Sequence, residues 1–234
     1  MNVSDLFTRL SFGELSNTAM AISGSGGILE QNQPKIINYA NEALVRLYSK
    51  FNLREKDVLI EMVEHITNYH LVSRFAETKY DPSVEPYAYI KDLPLEPFED
   101  DVIKILSVYD SFGCKLSLND PECEASVFTP QANVLQVPQP VKGAALSVHY
   151  QARHPNLSES RQDEEIQLPL VLEEALTAYI AYKVYTHMNT QEAIATGQGH
   201  FMMYQATVDS VIEADTVNTS VSASNSRFHK RGWI

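Results

Sequence analysis

The 234 residues are 44% apolar and 21% charged, which excludes wholesale disorder and a fibrous repeat and leaves room for one large domain or two small ones. Eighteen Lys and Arg against 30 acidic residues give a formal charge of −12, so the surface as a whole repels phosphate backbones, and tight nucleic-acid binding over it is excluded. Two cysteines, Cys114 and Cys123, have no partner pair; they make neither a zinc spacing nor a disulfide framework and point to a reducing compartment.

The N-terminal stretch carries Asp5 and Glu14 and lacks the apolar core of a signal peptide. Residues 4–17 read as a short helix, and the SGSGG run at 23–27 has the composition of a hinge or loop. Pro34 suits a first helical turn, and Ile37, Ala40, Leu44, Leu47 and Tyr48 recur at helical spacing, so residues 34–50 form an amphipathic helix. After Leu53 the period shifts towards two. Val58, Ile60 and Met62 alternate with their neighbours and β-branched or aromatic residues resume at 67–72, which predicts a hairpin turning at 64–66.

Prolines 82, 86, 94 and 97 remove backbone donors and make residues 81–97 an extended connector. Strand signals fill the next stretch. VIKILSVYD, the turn DSFG and CKLSL form a predicted hairpin; SVFT, NVLQV and AALSVHYQARH add short β runs, giving a small antiparallel sheet or sandwich. The strands lie between helical regions instead of alternating with them, so the class is α+β and a doubly wound parallel sheet is disfavoured.

Residues 168–188 hold the most hydrophobic stretch, but Glu173, Glu174 and Lys183 interrupt it, and it reads as a nearly surrounded core helix instead of a membrane span. A second helix at 190–214 places Ile194, Gly197, Phe201, Tyr204, Val208 and Val211 on one side, as an antiparallel partner of the first. Gly197 and Gly199 are costly inside a helix, and a close approach to Tyr179, Tyr182 and Tyr185 is the expected reason. The reading is a helical bundle from residues 1–53 and 160–214, a β-rich insertion at 54–159 and an extended C-terminal tail at 215–234. Asp215 against Arg227, Lys230 and Arg231 gives that tail +2, so residues 1–214 carry −14.

No catalytic constellation emerges. His65 and His70, or His149 and His154, stand five apart, which on a strand puts them on opposite faces, so no metal site is expected and they read as surface or hydrogen-bonding residues. The acidic clusters 99–101 and 163–165 read as solvated charge instead of an acid and base pair, and no cofactor is implied. Glycines 24, 26 and 27 lack the lysine of a phosphate loop. The one concentration of cations and large aromatics is the tip Arg227, Phe228, His229, Lys230, Arg231, Gly232, Trp233 and Ile234, with the only tryptophan of the chain. Such side chains carry most of the energy at interfaces, so this is a docking peptide, with a frayed terminus as the bland alternative. The tyrosines elsewhere are mostly core, although their number also suits a subunit interface.

Together, SDLFTRLSFGELSN, NQPKIINYANEALVRLYSKFNLREKD, VIKILSVYDSFGCKLSLND, SVFTPQANVLQVPQP with LSVHYQARHP, LPLVLEEALTAYIAYKVYTHMN and the ending RFHKRGWI resemble head-to-tail adaptor proteins of tailed bacteriophages, especially short-tailed ones. The resemblance implies a non-enzymatic virion structural protein, made in the bacterial cytoplasm and assembled as a homo-oligomeric ring, commonly of twelve copies, beneath the portal. It implies the portal protein above and tail or nozzle proteins below as partners, no membrane, and DNA passing through the lumen without tight binding. Portal binding maps by position onto the tail, with Phe228, Arg231 and Trp233 as anchors. The alternative is a soluble enzyme or small-ligand protein whose site is too scattered to read.

Overall fold

The computed structural model describes residues 1–22, 26–158, 161, 163–214 and 217. Among the described residues two compact units are built from four α-helices and short antiparallel strands, an α+β protein as expected. One unit takes residues 1–47 with the described residues from 156 onwards, and the other takes residues 48–155.

The first unit opens with α1 (Val3–Phe12). Asn2 accepts the Asp5 N–H at 2.7 Å while the Asp5 carboxylate accepts the Asn2 N–H at 3.0 Å, a reciprocal cap that satisfies two helix-start donors. Val3, Leu6, Phe7 and Leu10 bury its inner face. The helix stops five residues short of the expected 17: Gly13 makes the last helical bond, donating to the Arg9 carbonyl at 2.8 Å, and then leaves the helix at φ −98°, ψ −115°, where a Cβ would lie 2.9 Å from that oxygen. A two-residue ribbon, β1 (Ala21–Ile22) with β2 (Gly27–Ile28), flanks the SGSGG run, of which residues 23–25 lie outside the described residues.

α2 (Gln33–Lys50) buries Ile36, Ile37, Ala40, Ala43, Leu44 and Leu47 and turns Lys35, Asn38, Glu42 and Arg46 outward, the amphipathic helix its spacing predicts. α3 (Leu170–Thr186) buries residues on every side from Leu172 to Ala181, so it is the apolar axis of this unit. α4 (Gln191–Glu213) starts at Thr190, whose hydroxyl accepts the Ala193 N–H at 3.2 Å. It returns antiparallel along α3: Tyr182 meets Phe201 with ring centroids 4.9 Å apart, and Tyr179 meets Tyr204 at 5.4 Å.

The second unit holds two sheets. β3 (Glu55–Glu61), β5 (Ile90–Lys91), β6 (Val102–Tyr109) and β9 (Ala145–Ala152) pair in the order β5-β3-β9-β6; β4 (Asn68–His70), β7 (Phe128–Gln131) and β8 (Val134–Gln136) pair as β4-β8-β7. The longest ladder runs from Glu55 opposite Gln151 to Glu61 opposite Ala145. Inward residues Val58, Ile60, Tyr69, Ile90, Ile105, Val108, Leu135 and Val148 form one continuous core with Tyr150. Gln151 closes the base of the unit, its amide donating to the Phe51 carbonyl at 3.0 Å and also to the Tyr48 carbonyl.

Four expectations need correction. Residues 58–72 do not form a hairpin: β3 has β9 on one side and β5 on the other, while β4 joins β8 in the second sheet. The 64–66 turn is instead held locally, with the Tyr69 hydroxyl donating to the Val63 carbonyl at 3.2 Å and accepting the Val63 N–H at 3.0 Å. The 102–118 hairpin survives only at its closed end, where Tyr109 bridges Lys115 and the Leu116 N–H reaches the Val108 carbonyl at 2.9 Å, because the next residues pair elsewhere, Ser117 and Asn119 hydrogen-bonding the backbone of Val127. The 81–97 connector contains strand β5, which fits between Pro86 and Pro94, pairs with β3 at Leu59 and Ile60, and bridges Ala76 through Ile90. The 99–101 cluster is not simply solvated, because Asp101 is buried.

Candidate functional site

The docking tip singled out in the sequence, Arg227, Phe228, His229, Lys230, Arg231, Trp233 and Ile234, lies outside the described residues. The other sequence candidates are placed. His65 is exposed at the 64–66 turn with a positive φ of 70°, while His70 sits on β4 near the Phe75 ring. His149 on β9 faces Tyr109, and His154 is buried edge-on to Tyr48 with a ring centroid separation of 5.4 Å. The structure does not bring either pair together as ligands. Among the described residues no three His, Cys, Asp or Glu side chains are grouped to hold a metal ion.

The acidic clusters are structural. Asp101 pairs with Lys56 at 2.8 Å and accepts the Tyr150 hydroxyl at 3.0 Å, while Lys56 also reaches Glu99 at 3.2 Å. Burial, reinforced by the neighbouring Asp101 charge, holds the Tyr150 phenol far above its ordinary range. Asp100, at a positive φ of 57°, accepts both the backbone N–H and the hydroxyl of Ser73 and so pins the turn before β6 to the segment after β4. In the second cluster Glu164 meets Arg161 at 3.8 Å and Glu165 bridges Asn2.

A cavity of about 320 Å³ lies beside β3, lined by Glu55, Lys56, Asp57, Lys91, Asp92 and Tyr150 among others. Its central charges are already engaged. Lys91 pairs with Glu61 at 2.8 Å and with Glu77, hydrogen bonds that raise its pKa. Desolvation pushes the Asp92 carboxyl up, but the Thr78 hydroxyl and the Thr78 and Phe98 N–H groups outweigh it and hold the group below its usual value. These contacts fix the loops that carry Thr78 and Phe98 to the strand end at Asp92.

The helical unit presents a different kind of surface. Lys183 pairs with Glu42 at 2.7 Å and stands over the Tyr39 and Tyr179 rings, and Arg46 stands 5.2 Å from the centroid of Tyr179. These contacts tie α2 to α3 and engage Tyr39 and Tyr179 inside the unit. α4 is different: its buried residues are Gly197, Tyr204, Val208 and Val211, a narrow stripe against α3. Among the described residues most of the rest of its circumference is exposed, with Ala193, His200, Phe201 and Thr207 half-buried, yet from Ala193 to Val208 it has no Asp, Glu, Lys or Arg. That run stands plainly in the sequence, where the helical period drew attention only to the inner stripe.

A protein-family model described as SU10 adaptor protein matches residues 1–227. The chain belongs to this family. Membership makes it a phage structural adaptor at the head–tail junction of the virion, associated there with portal and tail proteins. No curated protein matches the chain. The matched span ends at Arg227, so of the docking tip only that residue lies within it. Among the described residues no helix of this adaptor is long and apolar enough to cross a membrane.

Proposed function

We propose that this adaptor is a non-enzymatic ring of the virion, twelve copies seated between the portal and the tail or nozzle proteins, made in the host cytoplasm and threaded by DNA. The observation that carries the reading is the family match over residues 1–227. Charge supports its parts. A body of −14 and a tail of +2 give neighbours or partners opposite signs, and an acidic lumen lets DNA pass without gripping it. In this reading residues 1–53 and 160–214 form the helical ring body, 54–159 the β-rich insertion, and 215–234 the tail that docks on the portal through Arg227, Phe228, His229, Lys230, Arg231, Trp233 and Ile234. Ordering of that tail on docking defers its entropic cost until the portal is present, which sets the order of assembly.

The test is removal of residues 227–234 followed by co-sedimentation with the portal of the same phage. Loss of portal association with an unchanged melting curve is the expected result. Portal binding equal to that of the full chain overturns the docking assignment.

A further inference from the structure

We infer that the uncharged outer face of α4 is the surface on which a second copy of this chain packs. The inference rests on the ring reading above and names the face that builds it. Ile194, Met202, Met203 and Ile212 are exposed apolar side chains, with Met202 69% accessible. Ala195, Gln198, Gly199, Gln205 and Ala206 fill the surface between them and are also exposed. Beside them runs a groove of about 330 Å³ between α3 and α4, walled by Tyr182, Thr186, Ile194, Phe201 and Met202. Depletion of charge with enrichment of methionine and aromatic groups is the signature of an interface core. The exposed residues of α2 include Lys35, Glu42 and Arg46, charged groups of the kind this stretch of α4 lacks.

Two further observations name the occupant. Residues 1–214 carry −14, so two bodies repel one another over most of their surfaces and approach at least electrostatic cost where charge is missing. A cationic partner, in contrast, is drawn to the acidic faces, not to this one. Gly199 supplies the second observation. A mid-helix glycine costs about 1 kcal/mol relative to alanine. At Gly197 the packing of α3 accounts for it, with the Thr186 hydroxyl 2.9 Å from an added Cβ; at Gly199 nothing lies within 4 Å. Among the described residues no contact explains Gly199, whereas the backbone of a neighbouring copy packed closely on α4 does.

The test measures the native mass of the full chain against concentration, alone and with the portal ring of the same phage, for the wild type, Met202→Glu, Ala206→Glu and Met202→Gln. Both sites are exposed, and thermal melting of each variant verifies the fold. The Glu variants are expected to raise the concentration needed for self-association about tenfold or more, on the alone and portal-bound arms alike, with Met202→Gln within about threefold of wild type. Folded Glu variants that assemble like wild type overturn the inference and leave the ring reading standing. Glu variants that assemble normally but lose the portal assign the face to the portal instead. A wild type that stays single both alone and on the portal overturns both. Failure of the 227–234 deletion to affect portal binding touches only the docking assignment.

Discussion

Gly197 lies so close to Thr186 that a Cβ on the glycine would stand 2.9 Å from the threonine hydroxyl and 3.2 Å from the Tyr182 carbonyl oxygen. Gly199, two residues further along the helix, meets nothing within 4 Å among the described residues. The two glycines therefore respond oppositely to the same substitution. Gly199→Ala gains about 1 kcal/mol of helix propensity in the isolated chain. Gly197→Ala has the same gain but overpacks the α3 backbone at a cost of about 1–3 kcal/mol, for a net loss of about 1 kcal/mol. Thermal melts of the two variants are expected to move in opposite directions; a shared direction removes the packing account of Gly197.

The Lys56–Asp101–Tyr150 group holds the turn before β6 against the sheet. Asp101→Ala leaves the Tyr150 hydroxyl buried without its acceptor and Lys56 with Glu99 alone, an expected loss of about 2–3 kcal/mol. Tyr150→Phe keeps the ion pair and removes one hydrogen bond, for about 1 kcal/mol. Urea midpoints rank the two, and a Tyr150→Phe loss larger than that of Asp101→Ala contradicts the assigned geometry.

Alkaline pH weakens the β-rich unit. Burial, partly offset by Arg54, pushes the Tyr48 phenol up to about 12, and burial raises Tyr69, Tyr89 and Tyr150 as well. All four belong to residues 48–155. Below pH about 10 folded and unfolded chains both keep these phenolic protons, so the stabilisation is complete there. As pH rises further the unfolded chain releases protons that the folded one retains, and stability falls until the folded phenols titrate. Denaturant titrations across pH about 9 to 12 are expected to show that fall, with tyrosinate absorbance rising together with unfolding. Phenols ionising at ordinary pH in a chain that stays folded contradict their burial.

The helices were legible because each carries its own periodic signal. α2 appears within one residue of its expected start, and the α3–α4 pair follows from two apolar patterns separated by a short turn. The strands were legible one at a time but not as pairs. β3 and β9 are more than eighty positions apart, and alternation says which face is buried without saying which neighbour covers the edge. The burial of Asp101 was hidden for a related reason: its partners, Lys56 and Tyr150, come from distant strands, so locally it looks like one more acid in a charged loop. For the docking tip the sequence supplied composition alone. The outer face of α4 was readable as a gap in charge, a signal that gains meaning only once the helix is known to be exposed there.

The clasp at the base of the β-rich unit reaches beyond stability. Gln151, near the end of the segment, holds the carbonyls of Tyr48 and Phe51 at its beginning, and His154 packs edge-on to Tyr48. Incoming and outgoing strands are thereby fastened side by side, and everything in between hangs from a single doorway. Such a segment is an exchangeable cassette. A short bridge across the doorway is therefore expected to restore the chain where the segment is removed or replaced by one of another size.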